Sequence, residues 1–336
     1  VALGSNASIG GSGNITISGA ISGANNLTKV GAGSLTLGTT NTFGGSGKSL
    51  TVAAGTVAIT SFSDNLGDAL NTVTLGTAST SGTLEFTQTT GNVSRSITVA
   101  AGGGTLKNLG SGVPTFAHSS GTYSAVLDGN LTINCSSTGD IVFNMGISGT
   151  GGIIVNSSGS GKVLLQPASA GSSIYTGSTT VTSGSLYLRG ANLVSNSSNL
   201  ILNGGTFGTG VTTGYSETLG TLQLTDNSTI ALGTGSHTLT FSASNLQSWT
   251  AGCTLTISGW SGTPGTSGTA GKIFIGSSSS GLTVSQLSQI TFTGFGEATI
   301  LSTGEVVPKP AIYRSAQSGN WSALSTWESS SDNGST

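Results

Sequence analysis

Charge is what this chain of 336 residues has least of. Charged residues make up 6% of it, where an ordinary soluble domain carries about a quarter. The nine basic residues are scattered singly from Lys29 to Arg314, and the formal net charge is −2. No basic patch neutralises a row of phosphates, which argues against a nucleic-acid partner, and no polybasic or amphipathic stretch favours a membrane surface. Long hydrophobic runs are missing too; none approaches the roughly 20 apolar residues of a spanning helix. The two cysteines, Cys135 and Cys253, lie far apart in unlike contexts. They read as small buried hydrophobes, with a mutual disulfide left open because the spacing carries no framework signature. Residues 1–5 hold neither a charged nor a long apolar region, so a signal peptide is expected to have been removed, or the chain to start in mid-protein.

Polarity comes instead from Ser, Thr, Asn and 56 glycines, while 35% of residues are hydrophobic. That apolar share, placed in alternation, excludes disorder. The recurring unit is apolar, small polar, apolar: the period-2 signature of a strand with one buried face. It appears as Leu35/Leu37, Leu50/Val52, Val57/Ile59, Val73/Leu75, Leu84/Phe86, Ile97/Val99 and Leu131/Ile133. It continues as Val163/Leu165, Leu186/Leu188, Leu200/Leu202, Leu222/Leu224, Ile230/Leu232, Leu239/Phe241 and Leu255/Ile257. Gly, Ser, Asn and Thr clusters between the pairs read as turns. Such short, frequent strands suit a coil whose turns each add two or three strands to stacked parallel sheets.

A long-range internal repeat supports this. Ile21, Gly23, Leu27, Leu35, Leu37, Phe43, Val57 and Ile59 are echoed by Ile147, Gly149, Ile153, Val163, Leu165, Tyr175, Leu186 and Leu188. The expected fold is therefore all-β: a right-handed parallel β-helix (solenoid) over residues 1–245, with roughly 20 to 25 residues per coil and a length of roughly 50 Å. From about residue 246 the texture changes, with Trp249, Trp260, a turn-rich stretch and a short helical turn near Val284. A C-terminal capping segment is expected over residues 246–307. Pro308 and Pro310 read as a stiff linker outside any central strand, so residues 308–336 form a linker and the start of a further module.

Residues 21–59 and 147–188 resemble the autotransporter-associated β-strand repeat, or passenger-associated transport repeat. Its pattern runs I-x-G…L-x-K-x-G-x-G-x-L-x-L…N-x-(Y/F)-x-G…V-x-x-G-x-L. Ile21, Gly23, Leu27, Lys29, Gly31, Gly33, Leu35, Leu37, Asn41, Phe43, Gly55 and Val57 fit it. The second copy departs, with Val155 at the Lys position and Ser157 at the following Gly. The resemblance touches most of residues 13–308 and implies a β-helical passenger of a secreted or surface-exposed bacterial protein. The tail around Trp321 and Trp327 resembles the opening of modules in large secreted proteins of Bacteroidetes-type bacteria.

The architecture has an enzymatic rival, the β-helix polysaccharide lyases and hydrolases. Glycoside hydrolysis needs two carboxylates across a cleft, and the eleven acids contain no Asp-Asp pair and none of the galacturonase-type motifs. Asp64 and Asp68 fall in a loop-like stretch, while Asp128 and Asp140 have room to stack on neighbouring coils but no accompanying base. His118 and His237 read as solvent-facing and lie near no Gly-x-Ser-x-Gly elbow. Acids are too sparse for a calcium shell. Five Thr-x-Thr pairs (Thr72/Thr74, Thr180/Thr182, Thr238/Thr240, Thr254/Thr256, Thr291/Thr293) suggest an ice-binding face, but their spacing is irregular.

No catalytic, cofactor-binding or metal-ligating residue is therefore assigned, and no cofactor. The expected role is a structural or adhesive shaft or spacer of a large secreted bacterial surface protein. The alternatives are a subunit of an extracellular filament and a β-helix lyase or hydrolase. Expected partners are other modules of the same long chain, copies of itself, and glycans or the surfaces of host or neighbouring cells.

Overall fold

A computed structural model describes residues 1–330, except 62–63, 88–90, 118–122, 167–172, 316–319, 321 and 324–326. Strands of two to five residues wind into a parallel β-solenoid. Its faces are a seven-stranded sheet, a ten-stranded sheet and a fourteen-stranded sheet. Each strand pairs with the strand one coil away: Leu27 faces Leu50, and Leu50 faces Val73. Coils run from 20 residues (Ala7 to Leu27) to 28 (Ile97 to Ala125) up to residue 245 and reach 35 (Leu255 to Ile290) beyond it, longer than the expected upper length. Register is kept along the strands apart from shifts at Val155/Asn156 and Leu202/Asn203, so most of this variation falls between them.

The inward side is the one the alternation points to. All fourteen apolar pairs are buried, and one continuous cluster runs from Leu3 to Val307. Like residues stack coil upon coil: Phe116 and Phe143 are in register with rings stacked at 5.0 Å, and Phe86 meets Phe116 edge-on at 5.7 Å. Aromatic pairs of this kind are worth about 0.5–1.5 kcal/mol beyond their burial. Asparagines at the corners extend the ladders beyond the strands. The Asn26 side chain accepts the Ser49 N–H of the next coil at 3.0 Å, and Asn199 accepts that of Thr221 at 2.8 Å.

The two repeat copies occupy different faces. Leu27 lies in the seven-stranded sheet and its echo Ile153 in the ten-stranded one. Leu35 and Val57 lie in the ten-stranded sheet, whereas Val163 and Leu186 lie in the fourteen-stranded one. Every position has moved one face around the axis, yet the local bonding is the same. Thr42 and Gly44 donate to the Ile21 and Gly23 carbonyls at 2.8 and 2.9 Å; Ile174 and Thr176 donate to those of Ile147 and Gly149 at 2.8 and 2.9 Å. The motif Ile-x-Gly is thus the rung beneath the buried Phe43 or Tyr175. Its glycine is required, because Gly23 and Gly149 have φ of +103° and +107° and a Cβ would collide with the Leu3 or Leu127 carbonyl of the coil beneath.

Parallel pairing continues past residue 245. Leu255–Ser258 and Ile290–Phe292 extend one ladder, and Gly271–Ile275 pairs with His237–Phe241 on another face. The reversal comes after Phe292. There Gly296–Ile300 and Glu305–Pro308 pair antiparallel and join the two ladders into the fourteen-stranded sheet. Trp260 closes the core against Phe292 and Phe295, with centroids at 5.8 and 5.1 Å. Trp249 and Thr250 cover the last strand of the ten-stranded sheet by donating to the Leu222 and Leu224 carbonyls at 3.1 and 2.9 Å. The helical turn near Val284 is an α-helix, Val284–Leu287, with a capping box between Thr283 and Gln286.

Pro308 differs from expectation. It is the buried last residue of a strand with neighbours on both sides, tolerated because its pairing with Ala298 ends the ladder and requires no N–H beyond it. Past Pro310, Ile312–Ser315 and Trp327–Ser330 form a separate antiparallel pair, and Trp321 lies outside the described residues.

Candidate functional site

Polar residues that take inward positions mark the places where the solenoid departs from its repeat. Lys29 follows Leu27 on the inward side, in register between Ile9 and Val52, and is fully buried. Its Nζ donates to the carbonyls of Val30 at 2.9 Å, Gly31 at 2.7 Å and Ala54 at 3.2 Å. Burial pulls its pKa below the ordinary value, yet the three carbonyls consume all three donors of an ammonium. The Lys and Gly positions of the repeat thus make one corner.

His237 is buried rather than solvent-facing. It begins a strand at a corner where its own turn and one neighbouring coil supply its partners. Nδ1 lies 2.9 Å from the Gly235 carbonyl, which only accepts, so the proton is assigned to Nδ1. Nε2 then accepts from the Thr209 hydroxyl at 2.8 Å, whose oxygen in turn takes the Gly233 N–H at 2.9 Å. The ring is a closed structural link. His118 lies outside the described residues.

The largest departure is a broken ladder. The seven-stranded sheet ends at Gly146–Gly149, and Glu217–Leu219 next takes up that position in the coil order. Two coils pass between them with no strand on this side among the described residues, represented by residues 174–176 and 192–195. Among the described residues no backbone hydrogen bond joins these two segments.

Glu217 partly replaces the missing rung. Its Oε2 accepts the N–H groups of Leu193 at 2.7 Å and Val194 at 3.2 Å, and Oε1 accepts that of Thr218 at 3.1 Å. Burial pushes its pKa up to about 7, against the pull of those three donors.

Beneath the gap Tyr175, Thr179 and Ser198 form a hydroxyl chain. The Ser198 proton goes to the Gly177 carbonyl at 2.8 Å, so Thr179 donates to Ser198 at 2.9 Å and Tyr175 to Thr179 at 2.6 Å. Burial first, and the Glu217 charge last, push the phenol up to about 12. Outside the gap lies an open groove of about 570 Å³, and a second of about 380 Å³ lies against Gln166, Arg189, Val211 and Tyr215.

The acids weighed from sequence do not converge. Asp128 follows a strand of the seven-stranded sheet, whereas Asp140 precedes one of the fourteen-stranded sheet and caps the Lys162 N–H at 2.7 Å. Asp68 caps Leu70 N–H in a turn at 2.9 Å, and Asp64 opens a one-turn 3-10 helix. Glu85 pairs with Lys107 across one coil step at 3.1 Å. Among the described residues no three His, Cys, Asp or Glu side chains group as metal ligands, and no helix is long and apolar enough to cross a membrane. Both cysteines are free, and burial pushes the Cys135 thiol up to about 11.

The Thr-x-Thr pairs fall on different faces: Thr72/Thr74 in the seven-stranded sheet, Thr180/Thr182 in the ten-stranded sheet, the rest along the fourteen-stranded one. They do not build a single face. Lys29, His237 and Glu217 all carried a signal, since each stands two residues from an inward Leu. Compared with family models, curated proteins and solved structures, the chain matches none.

Proposed function

We propose that this chain is a non-catalytic shaft or spacer of a large secreted bacterial surface protein, with a structural or adhesive role. The observation that carries this reading is the single unbroken core from Leu3 to Val307, the build of a stiff rod. The Ile-x-Gly rung shared by both copies, together with the corner of Lys29 and Gly31 in the first, supports kinship with the autotransporter-associated repeat. Closure of the C-terminal end by antiparallel strands and Trp260 favours a spacer over a filament, because a second copy finds no open ladder there to extend.

Labelled electron microscopy of the native protein tests this. Single fibres rising from the cell envelope are expected, and long filaments with this solenoid as the repeating subunit would defeat it. A panel of plant, algal and bacterial polysaccharides, read by reducing ends and unsaturated products, tests the non-catalytic part. Sustained turnover lost in Asp128→Asn or Asp140→Asn would put a lyase or hydrolase in its place.

A further inference from the structure

The groove over the broken ladder has the chemistry of a binding site. One wall is Ser173 and Ile174; the other is Asn192 and residues 194–197. Among the described residues no charged side chain lines it. Asn192 is the one non-glycine of positive φ among the described residues, at 56°, a conformation Asn tolerates in turns but that costs backbone energy. The exposed amides of Asn192 and Asn196 make no hydrogen bond within the described residues, so each keeps donors and an acceptor for a ligand. Ile174, 66% exposed, stands among them as an apolar platform.

We propose that this groove binds a neutral oligosaccharide, its hydroxyls meeting the Asn and Ser side chains and its C–H face resting on Ile174. The proposal rests on the adhesive half of the reading above and names its ligand class. Amides and hydroxyls that both donate and accept match vicinal hydroxyls, whereas an acidic polysaccharide finds no cation here. An extended peptide needs a straight row of backbone groups, and residues 192–197 are bends and a turn.

Titration calorimetry of the full chain with cellohexaose, mannohexaose and xylohexaose tests this, with hexagalacturonate as the acidic comparison. At least one neutral hexasaccharide is expected to bind with little salt dependence. Asn196→Ala and, separately, Asn192→Gly, which suits the positive φ, should each weaken it roughly tenfold with unfolding temperature little changed. The bound sugar should shift the side-chain amide resonances of Asn192 and Asn196 in the unaltered protein, a readout independent of how the variants fold. Binding by none of the three, binding of hexagalacturonate alone, or binding that leaves those resonances unmoved overturns the proposal. Each of these failures leaves the fibre test of the shaft reading intact.

Discussion

The Glu217 carboxylate accepts the Leu193 N–H at 2.7 Å, in the place where a strand of the coil above has a backbone carbonyl. With Val194 bound to the same oxygen, and the Asn192 N–H bound to the Ser216 carbonyl at 3.3 Å, it helps to hold a coil on a side where no strand is assigned among the described residues.

Glu217→Ala is therefore expected to destabilise the solenoid by about 2–4 kcal/mol, since it leaves buried N–H groups without acceptors. Glu217→Gln, which keeps one acceptor oxygen, should cost less. The pH dependence has a definite sign. With a folded pKa raised to about 7 from 4.5, the folded state holds this proton more tightly than the unfolded chain. Its contribution is fully present below pH 4.5 and is lost as pH rises through about 7. Denaturant titrations between these limits should show that fall in the parent and not in Glu217→Gln; equal slopes would contradict the assignment.

Lys29→Met should cost about 2–3 kcal/mol, because three corner carbonyls lose their donor while the aliphatic packing is kept. Amide exchange should quicken first near residues 52–56, where Ala54 is released. Unchanged protection there would mean the ammonium contributes nothing to the corner.

Gly23→Ala and Gly149→Ala are expected to destabilise to a similar degree, by about 1–3 kcal/mol or more, although they lie on different faces. The measurement is thermal unfolding of the two single variants side by side. A large cost at one and none at the other would break the equivalence of the copies.

Leu37→Asp and Leu165→Asp each bury an unpaired charge in the core and should cost more than about 4 kcal/mol, enough to unfold neighbouring coils. Thr36→Asp, one residue away on the outward side, should stay within about 1 kcal/mol. Melting curves of the three variants decide it: if Leu37→Asp melted like the parent, the inside and outside of this strand would be exchanged.

The alternation alone identified the buried pairs, because a strand side chain faces inward or outward by parity, and parity is local. Leu35/Leu37 and Val163/Leu165 needed no knowledge of their neighbours. The same parity runs through Lys29, His237 and Glu217, yet His237 reads from sequence as solvent-facing, because sequence does not show how a polar group survives inside. Their partners, Ala54, Thr209 and Leu193, belong to other coils, 24 to 28 residues away. The face each repeat copy occupies was likewise decided only in three dimensions. Its position around the axis accumulates the lengths of every intervening corner, and corner length is invisible to a period of two. The groove belongs to the same category: it lies where the described residues of two successive coils form no strand on one side, and only stacking reveals a missing rung.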